Sequence, residues 1–330
     1  MATTPVRLED IPNLQQILES RWSKLHNQPA PDTIFRYQLT IERERVTTDG
    51  EFNFLLQLNR KRTTDRRKPE ITAGLQPPFD PNRFNFNRAN PREVLLEVRI
   101  DDTLLTVLVN VSPLSHYHSL LVPDRERNLP QVLTAGSLNA VIRFMLSLED
   151  RDYRIGYNSS GAMASVNHLH FHLVHVCQKL YVEDAPLTKI GSHLYRLDNQ
   201  PAKAYCFVLE DQSTETGTFI TRTTRLISTL LSAEIGHNLF LTWDAARTTL
   251  RVLIYPRLRL CENKQVSPFN VAGFELSGFV TLGEESDYER LDGRKLAEYF
   301  REAQGTDLYE RLDSLVLKGL EGTRKRVNRN

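Results

Sequence analysis

His168-Leu169-His170-Phe171-His172-Leu173-Val174-His175 places four of the chain's nine histidines within eight residues. On a β-strand, side chains alternate between the two faces, so His168, His170 and His172 share one face. Leu169, Phe171 and Leu173 point the other way, toward a core, and His175 falls with them. Three imidazoles on one face are poorly explained by solvation, which Thr, Lys or Glu would serve without mutual repulsion. The row therefore reads as a chemical site.

Two chemistries could use it. Zinc needs nitrogen ligands at ~2.0–2.1 Å, yet on a straight strand the backbones of His168 and His172 are ~13 Å apart. A single ion would need two of these histidines and a remote ligand such as His118, and no adjacent carboxylate is present to orient the rings. The alternative is nucleophilic attack at phosphorus: a neutral imidazole attacks, one neighbour orients it, and another donates to phosphate oxygens. The segment before the row suits this chemistry. Asn158-Ser159-Ser160-Gly161-Ala162-Met163-Ala164-Ser165 is built of small residues, which let backbone N–H groups and hydroxyls approach a phosphate.

Working outward, the alternation continues on both sides. Val94 to Ile100, Leu104 to Val111, Ser119 to Pro123, Arg154 to Asn158 and Val166 to Val176 read as strands, with a helix over Leu138 to Leu148. The second half repeats the rhythm: strands at 204–209, 239–243, 250–255 and 273–281, helices at 221–233 and 294–303. Before them come a helix over Ile11 to Leu25 and two strands, Phe35–Ile41 and Phe52–Leu58, joined by a turn at Asp49-Gly50. Residues 69–91 hold five prolines and read as an irregular connection that carries Phe84-Asn85-Phe86-Asn87. The expected class is α+β: an antiparallel sheet with packed helices. The chain divides into a wrapping segment (1–91), a half carrying the histidines (92–190) and a second half (191–330) ending in a frayed basic tail from Arg324.

Composition narrows the function. At 330 residues, 40% hydrophobic and 25% charged, the chain can bury a large core, and disorder is excluded. Forty-two Lys and Arg balance 41 Asp and Glu, so no overall field draws nucleic acid or a membrane surface. Cys177, Cys206 and Cys261 show no disulfide or zinc-ribbon spacing. No apolar run approaches ~20 residues, and Met1 to Asp10 hold no apolar stretch of the secretory kind. A reducing, cytoplasmic compartment is expected.

The row matches His-x-His-x-His-x-x with apolar residues at x, and His118-Ser119-Leu120-Leu121-Val122-Pro123 resembles a second element of the histidine triad superfamily. Within that superfamily the chain resembles the GDP-hexose phosphorylases. Arg83 to Asn87, Asn110 to Leu114, Gly156 to His170 and Leu180 to Pro186 carry the likeness. The resemblance implies a triad-like sheet in two related halves, as in sugar-nucleotide uridylyltransferases. It also implies phosphorolysis of GDP-D-glucose to GDP and D-glucose 1-phosphate. His170 would attack the α-phosphorus to give a guanylyl-histidine. His168 would orient His170, and His172 and Ser165 would contact the α-phosphate, with His118 supporting them. Asn158, Gly161 and His118 belong to the expected substrate-binding set. Phe84 and Phe86 either sandwich the base or anchor their loop. The implied partners are small molecules, GDP-D-glucose and phosphate, with no cofactor and no metal. Uridylyltransferases usually carry Gln at the third triad position; His172 is the hydrolase-like choice. A triad hydrolase, a nucleotidyltransferase acting on another nucleoside diphosphate sugar and a non-catalytic nucleotide sensor stay open as alternatives.

Other candidates have plainer readings. Arg60-Lys61-Arg62 and Arg66-Arg67-Lys68 read as a solvated loop rather than an anion patch. Arg257 reads as a surface arginine, and His116, His193 and His237 as loop or structural residues. Glu183-Asp184 either meets sugar hydroxyls or forms a turn.

Overall fold

The alternating segments become β-strands in the computed structural model, which describes residues 5–48, 52–65, 74–210, 214–260 and 268–321. β1 (Val6–Arg7) precedes α1 (Leu14–His26); β2 (Arg43–Val46) and β3 (Leu55–Leu58) are followed by α2 (Arg60–Asp65). β4 (Val94–Ile100), β5 (Thr103–Val109) and β6 (Ser119–Pro123) lead through α3 (Ala135–Leu146) to β7 (Tyr153–Asn158) and β8 (Phe171–His175). Then come α4 (Tyr181–Asp184), β9 (Leu187–Gly191), β10 (Leu194–Leu197), β11 (Tyr205–Leu209), α5 (Thr216–Ser232), β12 (Gly236–Trp243) and β13 (Leu250–Arg257). α6 (Gly273–Leu276), β14 (Phe279–Leu282), α7 (Glu285–Arg290), α8 (Gly293–Gln304) and α9 (Leu308–Glu321) follow.

Eleven strands form one sheet in the order β1-β4-β5-β6-β8-β7-β12-β13-β11-β10-β9, and β14-β3-β2 form a second. The path β4-β5-β6-β8-β7 recurs as β9-β10-β11-β13-β12, with α3 and α5 each lying between the third and fourth strands of their set. The two sets meet where β7 pairs antiparallel with β12.

The period-two pattern sorts side chains between two cores. Tyr153, Ile155, Tyr157, Phe171 and Leu173 pack with α1, α3, α5 and α9 on one face. Val174, Cys206, Phe240, Leu253 and Tyr255 pack with α6, α8 and the second sheet on the other. Each fully buried side chain of this size contributes about 1.5–3 kcal/mol, which fixes the strand register: a one-residue slip would exchange the faces. α3 starts at Thr134, whose hydroxyl accepts from Ser137 N at 3.1 Å, and buries Leu138, Val141, Ile142 and Met145.

Four expectations change. Phe35, Tyr37 and Leu39 are alternately buried, but they pack beside Trp22 without joining a sheet, and the strand lies at Arg43–Val46 instead. The segment 273–281 is α6 and then β14, with the chain turning at Gly278 (φ +105°). β9, β10, α7 and α9 were not read from the pattern. Most consequential, the triad strand begins at Phe171, not Val166. The 128–131 loop crosses the preceding stretch and takes its backbone hydrogen bonds: Leu169 N donates to Leu129 O at 2.8 Å, and His170 N to Gln131 Oε1 at 3.0 Å. The Asp49-Gly50 turn, Arg66-Arg67-Lys68 and the basic tail lie outside the described residues.

Candidate active site

The bend at 166–168 sends the three histidines to different tasks. His170 and His172 line a cavity of about 270 Å³ on the sheet face away from α3. His168 does not line it; its ring is buried between Phe79 and Phe86. Its Nδ1 accepts from Phe86 N at 3.0 Å, and burial lowers its pKa to about 4, so the ring is neutral.

The tautomer of His170 follows from its neighbours. Nδ1 lies 3.0 Å from Gln131 Oε1 and 2.8 Å from the carbonyl oxygen of His168. Both are acceptors, so Nδ1 carries the proton and the lone pair is on Nε2. His168 thus meets His170 through its backbone carbonyl, and its imidazole faces away from the cavity. Gln131 is 1% exposed, and its Nε2 donates to Asn158 O at 2.9 Å and to His170 O at 3.2 Å. Those two carbonyl partners fix which end of the amide is oxygen.

A second relay sets His172. Leu114 N donates to His118 Nδ1 at 2.9 Å, so the His118 proton is on Nε2, 3.1 Å from His172 Nδ1. His172 Nδ1 accepts, and its own proton is left on Nε2. Burial, and secondarily the charge of Arg62, holds the His118 pKa well below the usual value, which keeps the donor neutral. His118 is fully buried and does not line the cavity. It positions His172; direct substrate contact, as expected from sequence, does not follow from this geometry.

The other expected residues divide. Ser165 and Asn158 line the cavity. Asn158 Oδ1 accepts from Asn238 Nδ2 at 2.6 Å and Gly273 N at 3.1 Å, tying the two halves together. Gly161 (φ +74°) does not line the cavity; a Cβ there would lie 2.8 Å from Leu75. Phe84 and Phe86 both line it, but their rings are 5.9 Å apart at 86°. A planar base cannot lie flat between perpendicular rings. Phe86, centred 5.0 Å from the His170 ring, is buried against the triad.

Several walls were not anticipated. Phe269, Asn270, Phe274 and Glu275 come from the second half. Phe274 lies directly on Gly156, where a Cβ would be 2.5 Å from its ring; Gly156 is registered opposite His172. Gln131 carried no motif signal, and Asn110, which lines the cavity, stood in a stretch that carried the family likeness but had no role assigned to it. Three further readings are corrected. Arg62 belongs to α2 and lines the cavity, so the basic run is not simply a solvated loop. Arg257 is 1% exposed, not on the surface, and donates to Val271 O. Glu183 is buried away from the cavity, 2.8 Å from Arg154 Nη2, and accepts from Thr242 Oγ1 at 2.6 Å. It is part of a buried ion pair, not a sugar contact.

Among the described residues, Asp152, His175 and Cys177 bring potential metal-ligand atoms within 4.8 Å of one another, outside the cavity. The Asp152 carboxylate is already shared by Arg154 and Arg247, and His175 Nε2 by Asp150 Oδ2 at 2.8 Å. Two fixed cations beside the carboxylate make this an ion-pair network. No helix among the described residues is long and apolar enough to cross a membrane.

Chemically, the cavity pairs an imidazole lone pair with a neighbouring N–H donor and small residues. Known proteins resemble the chain in sequence and in fold. Residues 13–174 match the family model described as "GDPGP1-like, N-terminal domain". The chain is 36% identical over 285 residues to GDP-D-glucose phosphorylase 1 of Danio rerio, covering 82% of this chain and 81% of that protein. It is 36% identical to the Homo sapiens protein of the same name, covering 78% and 72%. It is 27% identical to GDP-L-galactose phosphorylase 2 of Arabidopsis thaliana, covering 79% and 67%. In fold it is similar to yeast Ap4A phosphorylase Apa2, with a TM-score of 0.67, 15% identity and coverage of 89% of this chain and 95% of that one.

Proposed function

The chain belongs to the GDP-D-glucose phosphorylase family, and from that premise we propose that it is a nucleotidyltransferase that phosphorolyses GDP-D-glucose through a covalent guanylyl-His170. The observation that carries this reading is the pair of carbonyl oxygens on His170 Nδ1, which leaves Nε2 as the nucleophilic nitrogen of a residue lining the cavity.

In the first step Nε2 attacks the α-phosphorus, and the bond to the bridging oxygen breaks. Glucose 1-phosphate leaves as a dianion, and the imidazole becomes a guanylyl-imidazolium. The developing positive charge on the ring is met by the two oxygens facing Nδ1. His172 Nε2–H and Ser165 donate to the α-phosphate oxygens. In the second step a phosphate oxygen attacks, the P–N bond breaks with its electron pair returning to Nε2, and GDP leaves. Splitting one displacement into two is the ordinary gain of covalent catalysis. We place the reaction in the cytoplasm; the exposed Cys177 and buried Cys206 are free thiols, which suits a reducing compartment.

The test incubates the protein with GDP-, ADP- and UDP-glucose, with and without phosphate. GDP should form from GDP-glucose only when phosphate is present, whereas the glucose 1-phosphate released as His170 is loaded needs none. Radiolabelled GDP-glucose without phosphate should leave an acid-labile label on the wild type and none on His170→Ala. Equal turnover of all three nucleotides, or full labelling of the variant, would reject the reading.

A further inference from the structure

The basic run has three neighbouring cations with three different fates. Arg60 is held by Glu42 at 2.5 Å and Glu285 at 2.6 Å. Lys61 is exposed. Arg62 turns inward and lines the cavity; Nη1 donates to Ser112 O at 2.5 Å. The Arg60–Glu285 ion pair and the bond from Asn59 N to Leu282 O at 2.8 Å fasten α2 to the second half. Asn59 Oδ1 accepts from Arg62 N at 3.0 Å and fixes the start of the helix. Ser112, the partner of Arg62, lies two residues before Leu114, whose N–H donates to His118 Nδ1 at 2.9 Å. The guanidinium is therefore tied to the same loop whose other end positions His172. Its charge is felt at the His118 ring. Apart from Arg62, the only Lys or Arg among the described cavity-lining residues is Arg36, which is exposed.

Two in-line displacements on one phosphorus put the leaving group of the first step and the attacking group of the second in the same position, opposite His170 Nε2. In the proposed reaction that position holds a phosphate both times: the β-phosphate of the sugar nucleotide, then inorganic phosphate. Each is an anion, and the first gains charge as it leaves. Water, the competing acceptor, needs no cation there. We infer that Arg62 holds the phosphate in this position and thereby selects phosphate over water as acceptor. The inference rests on the guanylyl-histidine reading above and supplies what the triad lacks, since the same three histidines serve hydrolases.

The two acceptors give different products, GDP from phosphate and GMP from water, so their ratio reports acceptor choice whatever fraction of a variant is folded. His170 can be loaded from guanosine 5′-phosphorimidazolide, a donor with no β-phosphate, and chased with increasing phosphate. In the wild type GDP should displace GMP as phosphate rises. In Arg62→Ala the phosphate concentration giving equal GDP and GMP should rise by about tenfold or more, the size of one lost charge-assisted contact. Arg62→Lys should fall between them. An unchanged half-point in Arg62→Ala overturns the inference. If the wild type yields only GMP at every phosphate concentration, the phosphorolytic reading itself fails. If Arg62→Ala cannot be loaded, the half-point of Arg62→Lys decides, and a wild-type value there counts against the inference.

Discussion

Gln131 Oε1 accepts two hydrogen bonds from one residue, from His170 N and from His170 Nδ1, each at 3.0 Å. Backbone and ring are thus held by the same atom, and rotation of the imidazole would break the second bond. Its carbonyl oxygen also accepts from Tyr157 OH at 2.9 Å, which anchors Gln131 to the core. Misplacing a reacting group by about 1 Å can cost 10²-fold in rate. Gln131→Leu should therefore lower kcat by about that factor, with a smaller change in KM. Nitrogen NMR of His170 should show a single Nδ1-protonated tautomer in the wild type and a mixture in the variant. An unchanged kcat with an unchanged tautomer would remove Gln131 from the mechanism.

Acid should unfold this protein earlier than its carboxylates require. Burial lowers the pKa of His168 and His237 to about 4, and that of His118 well below its usual value. Unfolded imidazoles titrate near ~6.5, so the unfolded chain binds more protons as pH falls below that value. Stability is intact above ~6.5 and declines from there toward pH 4, by up to about 1.4 kcal/mol per pH unit for each histidine. Urea unfolding across this range measures the slope. His237→Phe, which keeps the ring stacked on Tyr157, should flatten it.

Glu183 gives a test that separates architecture from chemistry. It pairs with Arg154, and both side chains are fully buried. Removing one partner of a buried pair typically destabilises by 3–5 kcal/mol. Glu183→Ala should lower the unfolding midpoint strongly while kcat per folded molecule stays near wild type. A selective rise in KM for the sugar nucleotide in a stably folded variant would return Glu183 to the substrate site.

Chelation should leave activity unchanged. The Nδ1 atoms of the three triad histidines are each engaged in hydrogen bonds, and His168 is turned away from the cavity shared by the other two. Prolonged treatment with a strong chelator, followed by assay, checks this. Loss of activity restored by zinc would make the metal chemistry correct.

The repeated strand path leads us to propose that the halves at 92–190 and 191–330 are related units. Backbone superposition of β4–β8 on β9–β13 should bring α3 onto α5. Failure of the two sheets to superpose would remove the duplication and leave the site untouched.

The sequence alone determined what local periodicity controls. His170 and His172 are two residues apart, so they reach one face of any strand that contains them, while Phe171 and Leu173 must be buried on the other. The short motifs around them were sufficient to mark the family. Tertiary structure decided everything that depends on chain segments meeting across long separations. Gln131 lies 39 residues from His170, and Arg62 lies 50 residues from the carbonyl that tethers it. Their side chains gain meaning only when a loop and a short helix are carried there by the packing of other elements. His168 shows the converse. Its spacing promised the cavity, but the 128–131 loop claims the neighbouring backbone hydrogen bonds and bends the chain. A period in sequence sets a direction only where the backbone is regular, and what keeps it regular, or bends it, is the set of partners that its N–H and C=O groups find in the folded molecule.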